Sequence, residues 1–270
     1  MQLFGLTEPL WRLGAFLSVF VAMAVLELLH PRLERPELQK ALKAQRWFTN
    51  LSILVLSSLS LRLIFPAAAT GAALWAEARG YGLLPLLDIP PVLSGVIAFV
   101  TLDFAIWLEH VAFHKVPLFW RMHRVHHADP GVDLTTALRF HPLEIVVSMA
   151  WKIAIIVALG APAVAVLLFE IVLNAAAMFN HANLRLPPRL DRALRPLIVT
   201  PDMHRIHHST ERLESDSNYG FNLAIWDRLF STYTDRPGRG DDAIETGLTA
   251  YGRSAPTKLL WSLLLPFRRS

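Results

Sequence analysis

The sequence predicts an all-α fold, a multi-span helical membrane protein of four or five transmembrane helices beneath a helical cap. Three observations carry that expectation. Hydrophobic residues make up 53% of the 270-residue chain and charged residues 18%, too apolar a balance for an ordinary soluble domain. The apolar residues gather into runs near 11–29, 48–76, 91–109, 143–159 and 161–180, each about long enough at ~1.5 Å per residue to cross ~30 Å of hydrocarbon. Ten of the eleven histidines fall in two polar stretches or at their edges, and His30 alone lies elsewhere.

The first run follows no basic segment and leads into no small-residue cleavage pattern, so it is expected to be a retained anchor. The segment after it carries Arg32, Arg35, Lys40, Lys43 and Arg46, and such an excess of basic residues marks the cytoplasmic side. Between the second and third runs stands Arg79 against Glu77 and Asp88, which places that segment outside. The third run returns the chain to a polar stretch, 110–142, with Lys115, Arg121, Arg124 and Arg139, again cytoplasmic. Residues 143–180 read as a hairpin turned at Gly160-Ala161-Pro162,. Everything after 181 is then cytoplasmic. The organisation expected is a transmembrane region over 1–92, a second domain over 93–235 and a tail over 236–270, whose amphipathic piece Leu259 to Phe267 is expected to rest on the membrane,.

Two charges interrupt the hairpin. Lys152 lies eight residues before Gly160 and Glu170 eight after Pro162. An unpaired charge in hydrocarbon costs at least about 2.5 kcal/mol, and the two stand at nearly equal depth, roughly 12 Å from the tip. They are predicted to form an ion pair; the competing reading makes Glu170, one helical turn before Asn174, part of a polar track leading to His181.

The chain has no cysteine, which excludes disulfides, thiolate zinc sites and a self-ligated iron-sulfur cluster. Any metal must be bound through nitrogen and oxygen. The net charge of +4 is concentrated between the apolar runs, so membrane orientation explains it better than nucleic acid, and no nucleic-acid partner is expected.

Three strings concentrate the chemistry: His110-Val-Ala-Phe-His114, His123-Arg-Val-His126-His127 and His204-Arg-Ile-His207-His208, with His181 alone at the end of the last run. At this chain's histidine frequency the first spacing arises by chance about 0.4 times per sequence and the second roughly 0.02 times, so the repeated second spacing is the specific signal. Residues at i, i+3 and i+4 project from one helix face, giving three imidazoles per string. Neutral imidazole suits iron, copper and zinc, and such forks can serve two ions about 3.5–4 Å apart. Nine histidines are too many for one ion.

Asp103, seven residues before His110, is a candidate acceptor for the outward N–H of a ligand ring, or else a helix–helix contact. Asn174, Asn180 and Asn183 are candidates to bring an oxygen or a bridging water to a metal. Phe104, Trp107 and Phe113 are candidates to line a path for an alkyl chain, with packing preferred for Trp107. Gly238 to Ala243 has the letters of a dinucleotide fingerprint but follows Pro237 rather than a strand, so it is read as a loop.

The order of these boxes resembles the fatty acid hydroxylase and sterol desaturase superfamily over roughly residues 95 to 235. Arg139-Phe140-His141-Pro142-Leu143-Glu144, Asn218-Tyr219-Gly220 and Trp226-Asp227-Arg228-Leu229-Phe230 with Tyr233 look like that family's segments after its second and last boxes. The resemblance implies a membrane-bound, non-haem enzyme with two Fe ions on the cytoplasmic side, hydroxylating or desaturating a lipid with O2; zinc is a possible substitute in purified protein. It implies metal ligands at His110, His114, His123, His126, His127, His181, His204, His207 and His208, within a catalytic domain over 93–235. Where some members carry a further histidine four residues after the lone one, this chain has Arg185. One metal is therefore short of a protein ligand unless His141 supplies it; a structural role for His141 in its tight turn is the other reading. With no flavin or nicotinamide site, an external electron donor, ferredoxin-like or cytochrome-b5-like, is implied, and Lys115, Arg121, Arg124 and Arg205 are its candidate docking surface. A histidine-rich metal transporter and a noncatalytic metal-binding membrane protein are the competing classes.

Overall fold

The computed structural model describes every residue except 1, 4–5, 34–36, 241–242 and 269–270; Arg35, Asp241 and Asp242 therefore lie outside the described residues. Strands β1 (Gln2–Leu3) and β2 (Leu6–Thr7) pair antiparallel. The remainder is helical: α1 (Glu8–Leu29), α2 (Glu37–Ile64), α3 (Ala68–Glu77), α4 (Leu83–Leu86), α5 (Pro91–Lys115), α6 (Pro117–His127), α7 (Pro142–Leu159), α8 (Ala163–His181), α9 (Pro188–Leu194), α10 (Pro201–His207), α11 (Arg212–Ser215), α12 (Ile225–Leu229) and α13 (Leu259–Leu264). Five stretches among the described residues are long and apolar enough to cross a bilayer: Glu8–Leu29, Lys40–Glu77, Pro91–Lys115, Pro142–Leu159 and Ala163–His181. The chain is an integral membrane protein of the expected all-helical class.

The second apolar run is divided. Pro66 lacks the N–H that would continue the ladder, Ala68 takes a left-handed φ of 50°, and α3 begins there as a separate helix. Its small residues Ala69, Ala73 and Ala76 are buried, and the helix packs on α7 and α8; small side chains are what let membrane helices approach closely.

The hairpin forms where expected. Gly160 ends α7 at a φ of 65° and α8 starts after Pro162. A Cβ on Gly82 would meet the Gly160 backbone nitrogen at 2.2 Å, so a glycine pair seats the loop after α3 on the hairpin tip. Lys152 Nζ lies 2.9 Å from Glu170 Oε1, as predicted. The second Glu170 oxygen accepts from Arg12 at 2.6 Å, and Arg12 also bonds Thr70 at 2.6 Å and Glu8 at 2.8 Å. One charged cluster thus joins α1, α3, α7 and α8.

Helix α1 has no fully buried residue, and its far end is fastened beside His181. Asn183 exchanges side-chain hydrogen bonds with the Leu33 main chain at 3.1 and 3.0 Å, and Glu27 Oε1 accepts from the Asn183 and Leu134 amides at 2.7 Å each. The tail folds back likewise. Ser262 and Leu265 are buried against α2 and α6, while Leu260, Leu264 and Phe267 face outward. The amphipathic piece therefore lays its inner face on protein, leaving the other three residues for contact elsewhere. Arg139 fixes this arrangement from the interior, donating to Val125 O, Asn50 Oδ1, Pro256 O and Ser262 Oγ, each at 2.8 Å.

Candidate metal centre

Four elements meet at one end of the bundle. The last turns of α5 bring His110 and His114, α6 brings His123, His126 and His127, the end of α8 brings His181, and α10 with its C-cap brings His204, His207 and His208. They sort into two groups whose candidate ligand atoms each lie within 4.8 Å of one another: His110, His114, His123, His127 and His207 in one, His126, His181, His204 and His208 in the other. All nine predicted residues are brought together.

In the smaller group the Nε2 atoms of His126, His204 and His208 stand 3.1, 3.0 and 3.2 Å from Nε2 of His181. In the larger one the Nε2 atoms of His110 and His123 stand 3.1 Å apart. The outward Nδ1 of His181 donates to Ala177 O at 2.7 Å and that of His110 to Tyr219 O at 2.7 Å, which leaves lone pairs on their inward nitrogens; the tautomers follow from these partners. With Glu144 accepting from the outward Nδ1 of His123, the inward lone pairs of His110 and His123 face each other at 3.1 Å and repel unless a cation lies between them. At metal–nitrogen bonds of ~2.0–2.1 Å, neighbouring ligands stand ~3.0–3.4 Å apart, so the donor set fits a metal at each position. Burial and neighbouring imidazoles hold His126, His127, His204, His207 and His208 well below the usual 6.5, and burial pushes His123 down to about 3. The rings are neutral at physiological pH, the form that ligates.

The string after the second box is used residue by residue. Arg139 is the interior hub described above, and the Phe140 ring lies flat on His126 with centroids 4.3 Å apart. His141 caps α7, its Nδ1 accepting from Leu143 N at 3.1 Å while Nε2 meets Leu263 O at 3.2 Å. His141 is thus a structural residue. Glu144 places Oε1 2.5 Å from His123 Nδ1.

The string after the third box supports from the other side. Tyr219 is buried with its carbonyl on His110, and its ring lies 5.1–5.6 Å from those of His110, His114 and His207. Asp227 holds this turn, accepting from the amides of Tyr219 and Gly220 at 2.9 and 2.8 Å, from Trp107 Nε1 at 3.0 Å and from Thr232 at 2.6 Å. Burial raises its carboxyl above the ordinary value, and these four donors oppose the shift.

Asp103 and Trp107 take the packing role that was one of their two readings, and other candidates find different partners. Asp103 accepts from Trp226 Nε1 at 2.7 Å, a packing contact; the acid beside a ring is Glu144, an acid in the first turn of a span that its string already contained. Asn174 donates to the Glu170 carbonyl and Asn183 Oδ1 accepts from Leu33 N, while Asn180 donates to the Phe221 carbonyl and keeps a buried Oδ1 without a hydrogen-bond partner, so its oxygen stays a candidate. Phe104 and Trp107 stack on Phe230 at 5.8 and 4.7 Å, as packing. The rings facing the histidines include, besides Tyr219, Phe140, the predicted Phe113 at 5.7 Å from His123, Trp120 at 5.1 Å from His114 and Phe221 at 4.9 Å from His110. Arg124 and Arg205 are buried, Arg124 donating to Leu265 O and Arg268 O and Arg205 to Ala182 O, so Lys115 and Arg121 are what remains exposed of the basic surface.

Sequence comparison agrees with the geometry. The chain is 31% identical over 185 residues to ornithine lipid hydroxylase OlsE of Rhizobium tropici, covering 67% of this chain and 52% of that protein. It is 30% identical over 141 residues to human alkylglycerol monooxygenase, covering 50% of this chain and 29% of the relative. It is also 30% identical over 166 residues to fatty acid hydroxylase vlmA of Lecanicillium, covering 51% and 40%. The chain thus spans about half the length of the first of these or less. No solved structure matches it. Residues 95–232, which contain all nine clustered histidines and the supporting strings as far as Phe230, match the fatty acid hydroxylase family, and the chain belongs to that family.

Proposed function

We propose that the chain is a membrane-embedded oxidoreductase that uses O2 and two external electrons to hydroxylate or desaturate a lipid, with two iron ions held by the nine clustered histidines. The observation that carries the proposal is the convergence of nine neutral imidazoles in two groups at one end of a membrane bundle, in a family whose relatives here are named as lipid hydroxylases and a monooxygenase. His110, His114, His123, His127 and His207 would hold one ion and His126, His181, His204 and His208 the other. The missing ligand implied by Arg185 then falls to the four-histidine group.

Bound iron supplies the oxidising power. The chain's own residues hold the imidazoles neutral, exclude water by burial and present Phe140 and Phe221 as apolar surface to an alkyl chain. The basic residues at this end, Arg32, Arg46 and Lys115 among them, favour the cytoplasmic side. Exposed Lys115 and Arg121 would meet an acidic electron donor of the ferredoxin or cytochrome b5 kind.

The test is oxygen uptake by the purified, iron-loaded protein with a chemical reductant and a bacterial lipid extract. Uptake that requires iron, reductant and lipid together, with a product heavier by one oxygen or lighter by two hydrogens in mass spectrometry, is expected. Loaded protein that consumes no oxygen and leaves every lipid unchanged would overturn the reading.

A further inference from the structure

The two histidine groups differ in what stands behind their rings. In the four-histidine group the outward nitrogen of His181 meets a main-chain carbonyl, and the outward Nδ1 atoms of His126, His204 and His208 are buried without a hydrogen-bond partner. In the five-histidine group His110 and His207 likewise meet main-chain carbonyls, of Tyr219 and Ser217 at 2.7 Å each. His114 Nδ1 lies 3.5 Å from Asp216, which is partly exposed and bound to Lys115 at 2.9 Å. His123 is the exception. Its Nδ1 is 2.5 Å from Glu144 Oε1, both side chains are buried, and its Nε2 turns to the group. Among the described residues, Glu144 is the buried carboxylate in close contact with a clustered ring, whereas Asp216 stands farther from His114 and is partly exposed.

The local sequence explains how it gets there. His141 is the N-cap of α7 and Pro142 its first residue, which places Glu144 in the first turn beside α6. The other Glu144 oxygen is buried without a partner. Among the described residues no lysine or arginine pairs with Glu144, and a buried acid in that condition is costly. A carboxylate is a stronger acceptor than a carbonyl; behind a ligating imidazole it fixes the tautomer and ring orientation and raises the basicity of the inner nitrogen.

We infer that Glu144 is a positioning residue that secures the metal of the five-histidine group through His123, making the two metal positions unequal in affinity. The inference rests on the two-metal reading above and adds a residue that no histidine pattern contains. Replacing Glu144 weakens one position and spares the other.

The experiment titrates metal-free, full-length protein in detergent with cobalt(II) under anaerobic conditions, reading visible absorption for stoichiometry and affinity, with no turnover required. Wild type binds two equivalents. In Glu144→Gln, which keeps an acceptor and loses the charge, one equivalent binds with wild-type affinity and the other about 10–100-fold more weakly, the range usual for outer partners of ligating histidines. Glu144→Leu, with no acceptor, loses more than Glu144→Gln. The unchanged equivalent reports that the variant is folded. In a His181→Ala background, where the four-histidine group is broken, Glu144→Gln weakens the remaining equivalent directly. Asp103→Asn, which removes a buried acid bonded to Trp226, leaves both equivalents unchanged. The inference is overturned if Glu144→Gln titrates like wild type, if both equivalents weaken together, or if Asp103→Asn has the same effect. Wild-type protein that binds fewer than two equivalents would instead overturn the two-metal reading.

Discussion

A neutral imidazole has one lone pair to give, and the helical spacing of the boxes already indicated that these would converge. Removing one of them is expected to abolish product formation without preventing insertion: His123→Ala, His127→Ala and His207→Ala each delete a ring from a cap element and alter no apolar span. His30→Ala, an exposed ring at the end of α1, is expected to retain nearly full activity; turnover of membranes normalised to inserted protein checks both. A second expectation concerns acid. The six rings of α6 and α10 titrate far below 6.5 in the fold and near 6.5 when unfolded, so below 6.5 the unfolded chain binds more protons. Stability of the metal-free protein is therefore full above 6.5 and is lost as pH falls, for His123 down to about 3. Melting temperatures at pH 7.5 and 5.5 should differ accordingly, and equal values would contradict the burial of these rings. Spacing alone left their surroundings unread: Asp103 lies on the predicted face yet bonds Trp226, and Glu144 reaches His123 across 21 residues of sequence, because periodicity identifies a face and not its neighbour.

Between elements, the pairing of Lys152 with Glu170 was legible because both belong to one hairpin, whose turn fixes their relative depth. Arg12 was not, since no count of residues relates the depth of one span to that of another 158 positions away. The break between α2 and α3 was hidden for a related reason: Pro66 sits in an unbroken apolar run, and hydrophobicity continues where the hydrogen-bond ladder stops. The shared acceptor yields a ranking. Glu170→Gln strips a partner from both Lys152 and Arg12, whereas Lys152→Met leaves Glu170 with Arg12, and Arg12→Met leaves it with Lys152. Glu170→Gln is expected to be the most damaging, by about 2.5–3.5 kcal/mol for Lys152 stripped of its acceptor while Arg12 falls back on Glu8, and adding Lys152→Met to it should recover part of the loss. Exchanging the charges of 152 and 170 sets a cation against Arg12 and should restore less than a simple pair would. Inserted yield and detergent melting temperature report the order; Lys152→Met proving as harmful as Glu170→Gln would show that Arg12 carries no weight.

At the scale of the whole molecule, the histidine end faces a single side of the bilayer, and the cysteine-free sequence makes that side measurable. A cysteine introduced at Leu213, 90% exposed in α11 beside the third box, should react with an impermeant reagent in inverted vesicles and stay unlabelled in intact cells; labelling from outside would reverse the orientation. The charged cluster also bears on the order of events during synthesis. Arg12 emerges long before Glu170: at ~5–20 residues per second the 158 intervening positions take about 8–30 s,. Throughout that interval Glu8, one turn away at 2.8 Å, can serve as a temporary counter-ion and keep the first span insertable. When the hairpin arrives with Lys152 and Glu170 already matched, Arg12 has a second acceptor waiting. Arg12 and Lys152 thus each enter the bilayer with an acid already beside them, the first within a single helix and the second within a helix pair.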